Sequence, residues 1–441
     1  MARKKREPET AVIESAAHDG RGIAAVTGKK VFVAGALTGE TVRFQRRKRR
    51  RNFDEAELLE VIEASPERIE PACAAFAVCG GCSLQHITAD NQRQIKLQSL
   101  KDSLSRIGKV EPGNWLAPVF HDVPGGEWGY RRRARLAVKN VAGKGRVLVG
   151  FRERHAPYVC DMHRCEVLAA PVDDLIDPLS ELIGELSISS RLPQIEVAVA
   201  DNVTELVFRV LDPPTDSDRR LLTEFGESHG LQMALQHGGP NTVEPLSSQA
   251  APLFYSLPEF GLDIGFSATD FVQVNGPVNR LMVSKAIELL EVSSDHRVLD
   301  LYCGIGNFSL PLATGAGHVL GIEGESWQVD RARANAERND IGNCEFLKAD
   351  LSAVDGGEAW VRDSWDRVLL DPARSGAQEV VRQIDRIGAS RIVYVSCHPG
   401  TLARDAGILV HEKGYTLESA GIIDMFPHTG HVESIAVFQK D

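Results

Sequence analysis

The sequence predicts a multidomain α/β chain: a small β-barrel first, an α+β segment in the middle and a doubly wound parallel sheet at the end. Three observations carry this. Short apolar alternations punctuated by glycine fill residues 10–62, strands alternate with polar helix patterns between 117 and 265, and after Phe271 strand-like runs alternate with helical segments in βαβ order. At 441 residues the chain has room for two or three domains of roughly 150 residues each. Domains are expected at 1–64, 65–268 and 269–441.

Hydrophobic residues make up 43% and charged residues 25% of the chain, and its 39 Gly and 21 Pro follow no period, which excludes collagen-like and wholly disordered chains. No run of 18 apolar residues occurs, and the basic start Met-Ala-Arg-Lys-Lys-Arg has no apolar segment behind it. Neither a membrane span nor a secretory signal is therefore expected, and a cytoplasmic location is. In that reducing compartment the eight cysteines are left for packing, metal binding or catalysis. The net charge of −11 is uneven: residues 1–51 carry 14 Lys and Arg against 5 Asp and Glu, a local +9, and the other 390 carry 36 against 56, or −20. An acidic body with a basic head points to a polyanion partner.

Within the head, 11–13, 22–26, 31–35, 41–44 and 55–62 read as closely spaced short strands, the pattern of a small barrel. Seven basic residues lie from Arg43 to Arg51 with no acid among them, so Arg43, Arg46, Arg47 and Lys48 are candidate phosphate contacts; a solvated charged loop is the plainer alternative. A second cluster, Trp128-Gly-Tyr-Arg131-Arg132-Arg133-Ala-Arg135, precedes an alternating strand at 136–139. Arg131 and Arg132 suit contacts to single-stranded RNA, and a charged edge strand is an equal alternative. Further strands are expected at 147–151, 195–200 and 205–210.

Cys73, Cys79 and Cys82 follow C-x5-C-x2-C, with Gly80-Gly81 letting the backbone wrap a metal centre. A fourth ligand must come from farther along, and Cys160 and Cys165 are the candidates. Four thiolates hold either zinc or an iron-sulfur cluster, and spacing does not choose between them.

In the last segment, strands are expected at 298–302, 319–323, 345–347, 367–371 and 392–396. The first runs into Gly304-Ile-Gly306-Asn307-Phe-Ser309, a Gly-rich turn before a helix where a ligand can approach the backbone. Ser309 fills the third position of G-x-G-x-x-G, which weakens a dinucleotide reading and leaves a smaller adenosyl ligand. Glu323, 23 residues after Asp300, ends the second strand where an acid can hold ribose hydroxyls, and Asp350 ends the third, placed for the adenine. The fourth and fifth strands end at Asp371-Pro-Ala-Arg374 and Ser396-Cys397-His398, both at the carboxyl edge of the sheet. Cys397 there reads as a nucleophile rather than a core thiol. Glu433 opens an apolar strand, and partial burial would raise its pKa toward that of a general base.

The run Gly20-Arg-Gly-Ile-Ala24 with Gly39-Glu-Thr-Val42 resembles the TRAM domain, an OB-like RNA-binding barrel. The C-terminal segment resembles the class I S-adenosylmethionine-dependent methyltransferases, which are Rossmann-like. Phe271-Val-Gln-Val-Asn275, the stretch from Asp300 to Pro311, Leu369-Leu-Asp-Pro-Ala-Arg-Ser-Gly376, the stretch from Ser396 to Asp405 and His431-Val-Glu-Ser-Ile-Ala-Val-Phe438 look like the RNA uracil-C5 methyltransferases. With the head and the cysteines, that likeness spans essentially the whole chain. It implies action on 23S rRNA, since relatives that methylate bacterial tRNA are typically shorter and lack the barrel and the cluster. It also implies a [4Fe-4S] cluster on Cys73, Cys79, Cys82 and Cys165, the last favoured over Cys160 by the Glu-Val-Leu that follows it. S-adenosyl-L-methionine would be held by Gln273, Tyr302, Asn307, Glu323, Asp350 and Asp371, with Tyr302 standing where Phe is commoner. Cys397 would be the nucleophile, Glu433 the base, and Phe271 a stacking partner for the unstacked target base. A monomer is expected.

Uracil C5 is a poor nucleophile, so this chemistry needs a thiolate at C6 to form an enolate whose C5 takes the methyl, and then a base to remove the C5 proton and free the cysteine. By the same resemblance, cytosine-C5 enzymes place a further Cys after the fourth strand; Asp371-Pro-Ala-Arg374 has none, which favours uracil. The alternatives are the same reaction on tRNA and an iron-sulfur or nicotinamide-linked oxidoreductase, which leaves Cys397 and Glu433 unexplained. A non-catalytic RNA-binding adapter explains the basic head but needs no strand-end pocket.

Overall fold

The computed structural model describes residues 7–17 and 19–440, so the basic residues at 3–6 lie outside the described residues. Six strands, Glu9–Val12, Ser15–Ala16, Gly22–Val26, Lys29–Ala34, Thr41–Arg49 and Phe53–Glu63, make the first sheet. Its two outer members are the first two, consecutive in the chain, so the sheet closes on itself around Ile13, Ala24, Val31, Val33, Val42 and Phe44.

The basic run lies on Thr41–Arg49, which pairs antiparallel with the acidic strand Phe53–Glu63. Arg43 meets Glu60, Arg47 meets Glu57, and Lys48 and Arg50 both meet Glu55. Arg46 is buried between Glu9, at 2.8 Å, and Asp54, at 2.6 Å. The expectation of a basic run without acidic partners is thereby corrected: the partners come from across a hairpin, and two carboxylates occupy the Arg46 guanidinium.

The second sheet is mixed, in the order Val243–Pro245, Leu231–Gln236, Thr204–Arg209, Gln194–Val199, Arg133–Val141, Arg146–Gly150. Helix Asp216–His229, opened by a capping box of Thr215 and Asp218, makes its one parallel crossover, between Thr204–Arg209 and Leu231–Gln236. Arg133–Val141 has a neighbour on either side, so it is an interior strand and not a charged edge. Its first arginine is consumed by the backbone: Arg133 donates to the Val197 and Asp270 carbonyls at 3.0 and 3.1 Å.

The third sheet sets the site. In chain order its strands are β1 Arg297–Leu301, β2 His318–Glu323, β3 Cys344–Lys348, β4 Arg367–Leu370, β5 Arg391–Ser396, β6 Thr416–Ile423 and β7 Glu433–Gln439. They lie in the order 3-2-1-4-5-7-6, all parallel except β7. Strand order reverses at β1, the switch point outside whose carboxyl ends such sheets bind ligands. Val298, Leu299, Val368, Leu369, Ile392 and Val393 are buried without alternation, as a parallel sheet covered on both faces requires.

Residues 89–119 cross over to this sheet. Helix Ala89–Ser103 puts Leu100, with Leu104 just beyond it, into one core with Leu299, Leu370 and Tyr394, and Asn114–Trp115 pairs with β6 as an eighth strand. The sequence division puts this stretch in the central domain, whereas its packing is with the C-terminal sheet. Among the described residues no helix is long and apolar enough to cross a membrane.

The barrel wall yields a stability test. Arg46→Ala leaves Asp54, 1% exposed, with Lys29 at 2.6 Å as its remaining close partner and is expected to cost about 2 kcal/mol in denaturant unfolding, whereas Arg47→Ala, whose side chain is 61% exposed, should cost under about 0.5 kcal/mol.

Candidate active site

Ser396 of β5 stands opposite Ser434 of β7, so the next residues outward, Cys397 and Glu433, become neighbours where the ladder ends. Cys397 is half-buried and lines a cleft of about 1250 Å³ with Arg374, His398, Thr429 and His431. Asp19 and Arg21 of the barrel, Gly81–Ser83 of the cysteine loop and Arg106 line the same cleft.

Glu433 is 4% exposed, and its Oε2 has no hydrogen-bond partner among the described residues. Burial, reinforced by Asp371, raises its pKa to about 8, against the pull of Arg374 and Lys96. Asp371 is itself raised to about 7 by burial. The Cys397 thiol is pushed up to about 11 by burial and by the charges of Glu433 and Asp371, and Arg374 again opposes. Arg374 is thus a cation that favours the charged form of both groups. Its guanidinium donates to His431 Nδ1 at 3.0 Å, and burial together with Arg374 keeps that imidazole neutral by lowering its pKa. The sequence reading carried Arg374 and His431 only as members of motifs, because nothing local joins residues 57 apart in the chain.

β1 leads into the turn through Tyr302, Gly304 and Gly306, which adopt φ of 67°, 57° and 96°, the left-handed region where glycine is least strained. Ser309, in place of a third glycine, donates its hydroxyl to the buried Asp300 Oδ2 at 2.5 Å. Burial raises Asp300 to about 7, so a glycine at 309 would remove the donor this carboxyl has. Glu323, ending β2, accepts from the N–H groups of Gly304 and Gly324 at 3.1 and 2.6 Å. Asp350, beyond β3, accepts from Ser352 N and Oγ at 2.9 and 2.6 Å.

Asn307 Oδ1 accepts from Tyr255 Oη at 2.8 Å and from Asn279 Nδ2 at 2.9 Å, and Asn307 Nδ2 donates to Asn279 Oδ1 at 3.0 Å. Tyr255 and Asn279 are support residues that the sequence reading missed, since Tyr255 sits on a hairpin brought here only by folding. Gln273 lies just before helix Gly276–Leu290, whose cap Asn275 is fully buried, and the Phe271 ring is 68% exposed.

Cys73, Cys79, Cys82 and Cys165 line one cavity of about 190 Å³, together with Phe76, Arg131 and Met162. Cys160 is buried in the core beside it. Gly80 lies close to the backbone of Arg152, where a Cβ would make a tight contact 3.1 Å from the Arg152 carbonyl oxygen. Burial raises all four thiols, Cys82 to about 11 and Cys165 to about 12, and the neighbouring thiols add to each rise except that of Cys73. A bound cationic centre inverts that logic and deprotonates coordinating thiols. Among the described residues no three His, Cys, Asp or Glu are arranged to hold a single metal ion. Arg131 lines this cavity with its guanidinium 5.9 Å from the Phe426 ring, and Arg132 pairs with Asp201.

A 3-2-1-4-5-7-6 sheet with a Gly-rich turn after β1, an acid ending β2 and another just beyond β3 defines a Rossmann-like methyltransferase. Known proteins narrow the class. The tRNA (Uracil-5-)-methyltransferase family profile matches residues 264–441. The 23S rRNA (uracil(1939)-C(5))-methyltransferase RlmD of Nitrosococcus oceani is 51% identical over 437 residues, 99% of this chain and 97% of its own. Its counterpart from Stenotrophomonas maltophilia is 47% identical over 447 residues, 100% of both chains. The crystal structure of Pyrococcus abyssi tRNA (uracil-54, C5)-methyltransferase in complex with S-adenosyl-L-homocysteine has the same fold, with a TM-score of 0.76 at 24% identity over 97% of this chain and 99% of that one. The chain belongs to the RNA (uracil-5-)-methyltransferase family.

The buried Glu433 carboxyl predicts a pH-dependent stability. With a folded pKa near 8 against an ordinary 4.5, Glu433 costs nothing below about pH 4.5, and its cost grows as pH rises to 8. Glu433→Gln, neutral at every pH, should therefore raise the melting temperature little at pH 4.5 and most at pH 8.5, where the gain is on the order of 2–4 kcal/mol. An equal gain at both values in a thermal scan would contradict the raised pKa of this carboxyl.

Proposed function

We propose that this enzyme transfers a methyl group from S-adenosyl-L-methionine to C5 of a uracil in 23S rRNA, the substrate its relatives' names give, at the position those names number 1939. The juxtaposition of Cys397 and a buried, unpartnered Glu433 at the end of one antiparallel ladder carries the reading. When bound, the donor supplies an electrophilic methyl on a sulfonium. Asp300 feels the charges of Asp371 and Glu323 beside the turn, a setting that favours a cationic ligand. Glu323 and Asp350 suit the ribose and adenine, with Gln273, Tyr302, Asn307 and Asp371 completing the assigned contacts.

In this reading Cys397 gives its proton to solvent in the cleft and its sulfur bonds to C6, the electron pair moving onto the uracil carbonyl as an enolate. C5 then takes the methyl as the methyl–sulfur bond of the donor breaks, its electron pair staying on sulfur, which leaves as a neutral thioether. Glu433 removes the C5 proton, the C6–S bond breaks, and the electron pair returns to sulfur. A base with a pKa near 8 retains an ionised fraction at neutral pH and is stronger than an ordinary carboxylate. Exposed Phe271 stacks on the unstacked base. Arg43, Arg47 and Lys48, each more than half exposed beyond its ion pair, meet RNA phosphates, while Arg46 braces the barrel behind them.

The domains are read as a TRAM barrel at 1–64, a cluster-bearing domain at 65–268, whose stretch 89–119 packs on the C-terminal sheet, and the methyltransferase domain at 269–441, in a cytoplasmic monomer. Four thiols around one cavity support a [4Fe-4S] cluster held by Cys73, Cys79, Cys82 and Cys165.

Trapping separates the two catalytic roles. Glu433→Gln should accumulate a denaturation-resistant Cys397 adduct carrying methylated uracil, since general-base catalysis is worth roughly a hundred- to ten-thousand-fold. Cys397→Ala should form no adduct, and normal turnover by Glu433→Gln would refute the assignment. In the native enzyme, single-turnover release should rise with pH and level off above about 8, the sign for a base that must be deprotonated.

Protein purified without oxygen should be brown with about four iron atoms per chain, lost in Cys165→Ala and kept in Cys160→Ala. Stoichiometric zinc without iron would overturn the cluster.

A further inference from the structure

The segment between β6 and β7 delivers Glu433, and it is fastened from outside its own sheet. Ser83 and Leu84, directly after Cys82, both donate backbone N–H groups to the His428 carbonyl, at 2.8 and 2.9 Å. In return the Gly430 N–H donates to Ser83 Oγ at 3.0 Å. His428 holds φ of 64°, costly for a residue with a side chain, and its ring stacks on Trp128 with centroids 3.7 Å apart. Such a conformation persists where surrounding contacts impose it. The barrel reaches the same point, since a Cβ on Gly430 would stand 2.8 Å from the Asp19 carbonyl oxygen.

We infer that Ser83 is a positioning residue for Glu433, through which the cysteine loop sets the proton-removal step. The inference rests on the reading of Glu433 as the base. Cys82 lines the cysteine cavity, Ser83 lines the catalytic cleft, and no residue separates them. Order in the cysteine loop is therefore passed to His428 and Gly430 through three hydrogen bonds, and Gly430 lies three positions before Glu433. Cys397 directly follows β5, whose ladder partners are β4 and β7, so the two halves of the cycle should respond differently to Ser83.

Ser83→Ala removes the hydroxyl acceptor and keeps both backbone bonds, while Ser83→Thr restores the acceptor. In the full-length protein without RNA, hydrogen exchange at Gly430 should quicken on the order of tenfold in Ser83→Ala, the scale of one lost neutral hydrogen bond, and return toward native in Ser83→Thr. With RNA, Ser83→Ala should form the Cys397 adduct at the native rate and release product on the order of tenfold more slowly, with methyl-donor affinity unchanged. Cys82→Ala should quicken exchange across 428–432 in the absence of RNA. Unchanged exchange in Ser83→Ala, or adduct formation and release slowed alike, overturns the positioning role. Exchange that quickens as expected while Glu433→Gln traps no adduct overturns the reading of Glu433 as base rather than the fastening of the loop.

Discussion

The antiparallel insertion of β7 between β5 and β6 is the constraint on which the rest of the site depends. A parallel strand would begin at the opposite edge and carry Glu433 away from Cys397. Running antiparallel, β7 keeps pairs from Arg391 with Gln439 to Ser396 with Ser434, and a hydroxyl bond from Ser434 to the Ser396 carbonyl, 3.1 Å, pins the end. A slip of one residue would turn every side chain of β7 to the other face. The same reversal forces the β6–β7 segment to the carboxyl edge, where it meets the barrel and the cysteine loop.

Burial is the second physical theme, and it works against stability. Glu433, Asp371 and Asp300 are all carboxyls raised toward neutral pH by desolvation. A chain selected only for stability would replace them with apolar groups, so their presence at one sheet edge marks chemistry. Arg374 moderates the conflict: by favouring the ionised states of both Cys397 and Glu433 it limits how far either is pushed from its working range. His431, neutral and accepting from Arg374, fixes where that charge stands.

Pairing of opposite charges organises the head of the molecule differently. Across the hairpin Thr41–Arg49 and Phe53–Glu63, the surface pairs leave the long basic side chains largely in solvent, where each pair is worth little and is easily exchanged for a phosphate. Arg46 differs because Glu9 and Asp54 hold it inside the wall. One strand thus serves both as scaffold and as exposed cationic surface.

Strand runs, the Gly-rich turn, the C-x5-C-x2-C cysteines and the strand-end positions of Cys397 and Glu433 were legible because hydrophobic periodicity, turn requirements and residue type are local properties. The sequence also marked the missing third glycine, though not that Ser309 serves Asp300. What only the tertiary structure decided was partnership. It supplied acids to the basic run, gave residues 89–119 to the C-terminal sheet, and joined Tyr255 and Asn279 to Asn307, Arg374 to His431 and Ser83 to Gly430. These contacts follow from strand order and register, which depend on packing summed over the whole chain, and no short window of sequence contains that sum.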